Sequence, residues 1–182
     1  MTKGEVAGSN PVSPGQIKNP EVRHLGVFAL LTKDVKKSYS HSRQHCLTLT
    51  HMADYSLVPN MPADIKAMMD DYFDVMHFQD MEKFDRVFHK DCCLYSAQGG
   101  SLSLRPYDIY RAAVVARQSP AEKGEKRDDR VMMFDQVSPT LAFVKPQLEM
   151  MGGVMQDYLN LVFLDGQWRI MAKMWEKVGE VA

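Results

Sequence analysis

From Asp157 to Trp175 apolar and polar residues alternate with a period of two, broken once at Asp165-Gly166. Alternation at this period marks strands with one buried face, and Asp-Gly between two such runs marks a two-residue hairpin turn. Pairing Leu164 with Gln167 brings Phe163 to Trp168, Leu161 to Ile170, Leu159 to Ala172 and Asp157 to Met174. That face is apolar except at Asp157. The opposite face carries Tyr158, Asn160, Val162, Arg169, Met171, Lys173 and Trp175. A slip of one residue would mix the two sets, so the pattern itself selects the register.

Upstream the period lengthens. Ile65, Met68, Met69, Tyr72, Val75 and Met76 recur at helical spacing with acidic residues between them, and Pro62 suits a first turn. Asp80 reads as the N-cap of a second, short helix with Met81, Phe84, Val87 and Phe88 on one face. Asp91 to Ser96 and Ser101 to Leu104 read as short strands around Gln98-Gly99-Gly100. Pro106 opens a third helix to about Arg117, with Ile109, Ala112, Ala113 and Ala116 predicted to face inward. Ser119 to Asp129 is charged and is expected to be a mobile, solvated loop. Strands follow at Arg130–Val137, Leu141–Glu149, Met155–Leu164 and Gln167–Lys177. Pro146 gives the second of these an edge position or a bulge.

The first fifty residues have no such pattern. Glu5 to Pro20 is rich in Gly, Ser, Asn and Pro, and Lys33 to Thr50 has few apolar positions. Gly8-Ser9-Asn10-Pro11 is also the translation of a transfer-RNA T-arm consensus. Residues 1–51 are therefore expected to be a disordered or mis-annotated extension, with Met52 or Met61 as the true start, and residues 52–182 the domain.

Size and composition add bounds. The chain has 182 residues, which fits one domain, with 45% hydrophobic and 25% charged residues. A net charge of −1 gives no case for nucleic acid or an anionic membrane. No apolar run reaches the ~18 residues of a membrane span. The three cysteines, two of them the neighbours Cys92 and Cys93, argue against a disulfide framework and for a cytoplasmic setting. The 14 methionines suit an adaptable apolar interior or pocket wall.

Helices first, then strands, a third helix and a long meander ending in Asp165-Gly166-Gln167-Trp168-Arg169-Ile170: this order resembles the nuclear transport factor 2-like superfamily. Within it the chain is most similar to the branch described as putative lumazine-binding proteins. Phe88-His89-Lys90-Asp91-Cys92 matches that branch's Phe-His-x-Asp-Ala after the second helix, and Asp157-Tyr158-Leu159 and Lys173 add to the match over Met61–Val178. The resemblance implies an α+β fold in which a curved antiparallel sheet wraps about three N-terminal helices. It forms a cone with a pocket at its open end.

In ketosteroid isomerase, a relative on this fold, an Asp on the first strand takes a proton from carbon; the matching position here is Ser96, which cannot. The isomerase mechanism is not supported. Asp157, a carboxylate at the end of an apolar face, is the acid–base candidate, with Tyr95 as its phenol donor. Lys173 lies on the other face in a regular register, but a one-residue bulge would bring it across from Asp157. The plainer role for Asp157 is to hold that lysine or a backbone N–H. Tyr72 and Tyr110 are further phenol candidates for a pocket walled by Met68, Met69, Phe134, Phe143 and Trp168. Tyr158, Asn160, Met171, Lys173 and Trp175 are the candidate dimer face. His77 and His89 with Cys92 and Cys93 lack metal-ligand spacing, so no metal is expected and no cofactor is implied.

The leading expectation is a domain that binds a small hydrophobic or heteroaromatic molecule, assembled as a homodimer. The alternatives are a lyase or isomerase acting on a ring compound through Asp157, and a protein-interaction module. An open cavity with an inward Asp157 near a phenol would favour the enzyme. A filled cavity with Asp157 outward would favour the interaction module.

Overall fold

A computed structural model describes residues 52–181. The expectation for residues 1–51 lies outside the described residues. The element order is α1 (Ala63–Phe78), α2 (Met81–Val87), β1 (Phe88–Ser96), β2 (Ser103–Pro106), α3 (Tyr107–Ala116), β3 (Asp129–Ser138), β4 (Leu141–Met150), β5 (Gly153–Leu164) and β6 (Gln167–Glu180), with one 3-10 turn at Gln98–Gly100.

The helical stripe of α1 buries Ile65, Met68, Met69, Tyr72, Phe73, Val75 and Met76. Removing each such side chain from water contributes about 1.5–3 kcal/mol. The helix stops at Gln79, which turns left-handed at φ 59° and returns its N–H to the Val75 carbonyl. Asp80 then caps α2 by accepting from the N–H groups of Glu82 and Lys83. Tyr107, Tyr110 and Val114 form the buried stripe of α3. The expected alanine face is wrong for three of its four residues: Ile109 is 60% exposed and Ala112 and Ala116 lie on the outside, while Ala113 is exposed toward a cavity. Two phenol rings cover more apolar area than three methyl groups, and they win the inward side.

The sheet has six strands in the order β2-β1-β6-β5-β4-β3. It is antiparallel except at β1 and β6, which run parallel. Its concave face covers the helices in a single core running from Ile65 to Ile170. Pro146 sits in an interior strand, and a register shift between Val131 and Met133 on β3 lies opposite it. Of the two options for Pro146, the bulge is the one observed.

The β5–β6 hairpin turns at Asp165 (φ 51°) and Gly166 (φ 78°), both left-handed, as a type I′ turn requires. The register begins as the alternation dictates: Leu164 to Gln167, Phe163 to Trp168, Leu161 to Ile170. It then slips by one. Asn160 pairs with Ala172, Leu159 with Lys173, Tyr158 with Met174 and Asp157 with Trp175. Met171 is the extra residue of a bulge, and the β6 side chains beyond it change face as far as a second register shift opposite Val154 and Met155.

The 119–129 segment is not a free loop. Ser119 and Asp129 are 2% and 3% exposed, and the Ala121 N–H bonds to the His77 carbonyl. Arg127 bridges Asp74 of α1 and Asp129. Its charges divide: Glu122, Lys123 and Lys126 are exposed as expected, while Arg127 and Asp129 belong to a largely buried ion-pair network.

Candidate functional site

The bulge at Met171 creates the site. It swings Lys173 and Trp175 from the outer face to the inner one, beside Asp157 of β5. Tyr72 reaches the same point from α1, because its place on the buried stripe faces the sheet. The Tyr72 hydroxyl donates to Asp157 Oδ2. Lys173 Nζ donates to Tyr72 Oη at 2.7 Å and to Asp157 Oδ2 at 3.0 Å. Tyr72, Asp157 and Lys173 are 0%, 2% and 5% exposed. The ammonium also lies 5.1 Å from the centroid of the Tyr72 ring. Buried charges survive when paired and hydrogen-bonded, and this triangle meets that condition. Burial and the adjacent Asp157 charge hold the Tyr72 phenol well above its ordinary pKa, so it stays a donor.

A cavity of about 340 Å³ opens against this triad. Asp157 and Lys173 line it together with Met76, Leu94, Tyr110, Val114, Met150, Met155 and Trp175. Ala113, Met151, Arg105 and Arg117 complete its lining. One cross-strand row explains the arrangement: Arg105 of β2 pairs with Leu94 of β1, which pairs with Lys173 of β6. Residues in such a row share a face, so Arg105 points to the same side as Lys173. The Arg105 guanidinium rests over the Trp175 ring, 5.9 Å from its centroid. Arg117, at the C-terminal end of α3, has its Nε and Nη2 buried with no hydrogen-bond partner among the described residues.

Of the residues singled out in the sequence, Asp157 and Tyr110 line this cavity, and Tyr72 touches Asp157 from behind. Tyr95 does not reach it. Leu94 and Ser96 point inward on β1, and Tyr95 lies between them on the outer face, so the phenol beside Asp157 is that of Tyr72. Met68 and Trp168 line a second cleft of about 270 Å³ at the hairpin end, where Trp168 Nε1 donates to Asp64 Oδ2 at 2.9 Å. Met69 is fully buried core, and Phe134 packs against the core without lining either cavity. Phe143 lies on the outer face with its ring centroid 5.6 Å from that of Tyr158. It alternates with the inward Ala142 and Val144.

The expected dimer face divides. Tyr158 (48% exposed) and Asn160 are outside and Met171 is half-buried at the bulge, while Lys173 and Trp175 face the cavity. Met174 takes the outer place, 51% exposed. Arg105, Arg117 and Met155 were not raised as pocket residues from the sequence, and Met76 only as part of the helical stripe. Arg105 was recoverable in principle, since it pairs with an inward Leu94; nothing local to Arg117 marks it.

Other chemistry is quiet. Burial pushes the Cys92 thiol up to about 12, outweighing the pull of Lys173, so it is no nucleophile. Ser96 Oγ accepts from the Gln98 N–H and serves the turn. Among the described residues no cluster of three His, Cys, Asp or Glu side chains comes together, and no helix is long and apolar enough to cross a membrane.

Solved structures with the same fold include a nuclear transport factor 2-like protein of unknown function from Shewanella baltica, 16% identical, with a TM-score of 0.56 over 62% of this chain and 90% of that one. A second, also of unknown function, comes from Silicibacter pomeroyi: 18% identity, TM-score 0.53, 63% and 93% covered. A third is a cystatin-like fold protein from Burkholderia xenovorans: 13% identity, TM-score 0.52, 65% and 92% covered. At these identities the likeness is one of fold. No curated protein matches the chain. The family model described as "Putative lumazine-binding" matches residues 61–176, most of the chain, from before α1 into β6, and on that match the chain belongs to this family.

Proposed function

We propose that the domain binds a small ring-containing molecule, hydrophobic or heteroaromatic, in the cavity beside Tyr72, Asp157 and Lys173. The observation that carries this reading is the cavity itself. Its volume of about 340 Å³ lies within the range of small-molecule sites, and its wall is mostly methionine, leucine and aromatic carbon with a few converging polar groups. The family description points the same way. Native mass spectrometry of protein purified from its own host should find a retained small molecule. Protein that carries none, and whose melting temperature no heteroaromatic compound raises, would overturn the reading.

The inward Asp157 beside a phenol favours a second reading, proton transfer on a ring compound. Both hydrogen bonds to the Asp157 carboxylate fall on Oδ2, which leaves Oδ1 for a substrate proton. A binder and an enzyme differ in one measurement. Deuterium from solvent should enter an acidic C–H of the retained molecule with the native protein and not with Asp157→Asn. The same inward Asp157 weighs against a pure interaction module.

The homodimer remains part of this proposal. Phe143, Tyr158 and Met174 share the outer face of the sheet, and two of them are about half exposed. Exposed aromatic and methionine side chains are the composition of a pairing surface.

A further inference from the structure

We propose that the ligand is an anion, a ring compound bearing a carboxylate or an equivalent two-oxygen acid group, and that the guanidinium of Arg117, a residue lining the cavity, binds that group. This rests on the cavity being a ligand site, as argued above, and it specifies the ligand's charge.

Three cations and one carboxylate line the cavity: Arg105, Arg117 and Lys173 against Asp157. Lys173 already neutralises Asp157 within the triad. The two guanidinium charges have no carboxylate among the described residues. The apolar wall beside them cannot supply one.

Arg117 is the sharper of the two. Its Nε and Nη2 are enclosed and have no hydrogen-bond partner among the described residues. These two N–H groups form one edge of the guanidinium plane, spaced to meet the two oxygens of a carboxylate. This chain uses the same edge elsewhere. Arg86 grips Asp71 through Nε and Nη2 at 2.9 and 2.7 Å, both on the single oxygen Oδ2. Arg111 grips Asp85 through Nε and Nη2 at 2.7 and 2.9 Å. Arg117 lines the cavity, and no acid among the described residues meets this edge of it. Its place at the C-terminal end of α3 makes the positive charge tolerable there but satisfies neither N–H. A cavity-lining guanidinium with two donors unused and no carboxylate beside it is the complement of an anionic ligand. The Trp175 ring, steadied by Arg105, offers the ring part of such a ligand a flat partner.

The test uses the full chain and a matched pair of probes, 2-naphthoate and its neutral isostere 2-naphthamide, titrated by tryptophan fluorescence. The naphthoate should bind about tenfold tighter at neutral pH, and added salt should shrink that margin. Arg117→Gln should abolish the margin while leaving naphthamide affinity within about twofold, and Arg117→Lys should keep part of it. Because the lost donors were unpaired, Arg117→Gln should melt no lower than the native protein without ligand. Equal binding of the two probes by the native protein, or an Arg117→Gln variant that melts lower and loses both probes alike, would overturn the charge assignment and leave the ligand cavity standing. Binding of neither probe, together with no retained molecule, would overturn the cavity reading and this one with it.

Discussion

Lys173 Nζ and Asp157 Oδ2 stand 3.0 Å apart inside the core, although the two residues are not opposite one another in the β5–β6 ladder. Asp157 faces Trp175, and Lys173 reaches it from the pair before, where it faces Leu159. The diagonal exists because the extra residue at Met171 turns an outward lysine inward.

That pair makes a stability prediction. Asp157→Leu leaves the Lys173 ammonium buried without its carboxylate and should cost about 3–5 kcal/mol. Lys173→Met should cost less, since Tyr72 still donates to Asp157. The double variant should recover most of the loss in urea unfolding, giving a coupling well above the few tenths expected of independent sites. Additive losses would show that the triad does not act as a unit.

Acid should weaken the fold through its paired carboxylates. Hydrogen bonds from Arg111 first, and from Tyr107, hold Asp85 below the ordinary carboxyl value of 3.8. Asp74 is also held low: burial opposes this, but hydrogen bonds from Lys83 and Arg127 outweigh it. A carboxyl lowered in the folded state contributes stability above its unfolded pKa and loses it as pH falls through the folded one. Denaturation midpoints should therefore decline on acidification below ~pH 4. The decline should be shallower in Asp74→Asn, and an unchanged slope would refute the assignment.

Cys92 should be chemically silent in the folded state. Burial pushes its thiol up to about 12 and leaves 1% of it exposed. At pH 8 a maleimide should label it more than tenfold slower than in urea, read by peptide mass mapping. Rapid labelling would mean that β1 opens readily.

The outer face should carry the subunit contact. Native protein should scatter light as a dimer in the micromolar range, and Tyr158→Arg with Met174→Arg should scatter as a monomer that melts cooperatively. A monomeric native protein would refute the dimer.

Core truncation sets the scale for these effects. Leu159 is fully buried on the concave face, and Leu159→Ala should cost about 2–5 kcal/mol in the same urea experiment.

Much of the architecture was legible because it rests on local chemistry. The stripe from Ile65 to Met76 could bury itself only as a helix, and Asp80 had free N–H groups to cap. Asp165-Gly166 fits a turn that needs two positive φ angles, and the first pairs from Leu164–Gln167 to Leu161–Ile170 follow from that turn alone. Family membership was likewise readable from the order of these pieces.

What lay beyond the sequence depended on contacts between distant segments. Nothing beside Met171 announces a bulge, and that one residue decides which of Lys173, Met174 and Trp175 enter the cavity. The partner of Asp157 comes from 85 residues away, so strand alternation could raise Asp157 as a candidate but not find Tyr72. Tyr95 failed for the same reason, because a strand's two faces are equivalent until something packs on one of them. Local periodicity fixes which side chains travel together, and the tertiary fold determines which side turns inward, because burial free energy accrues only once a second surface is present to bury against.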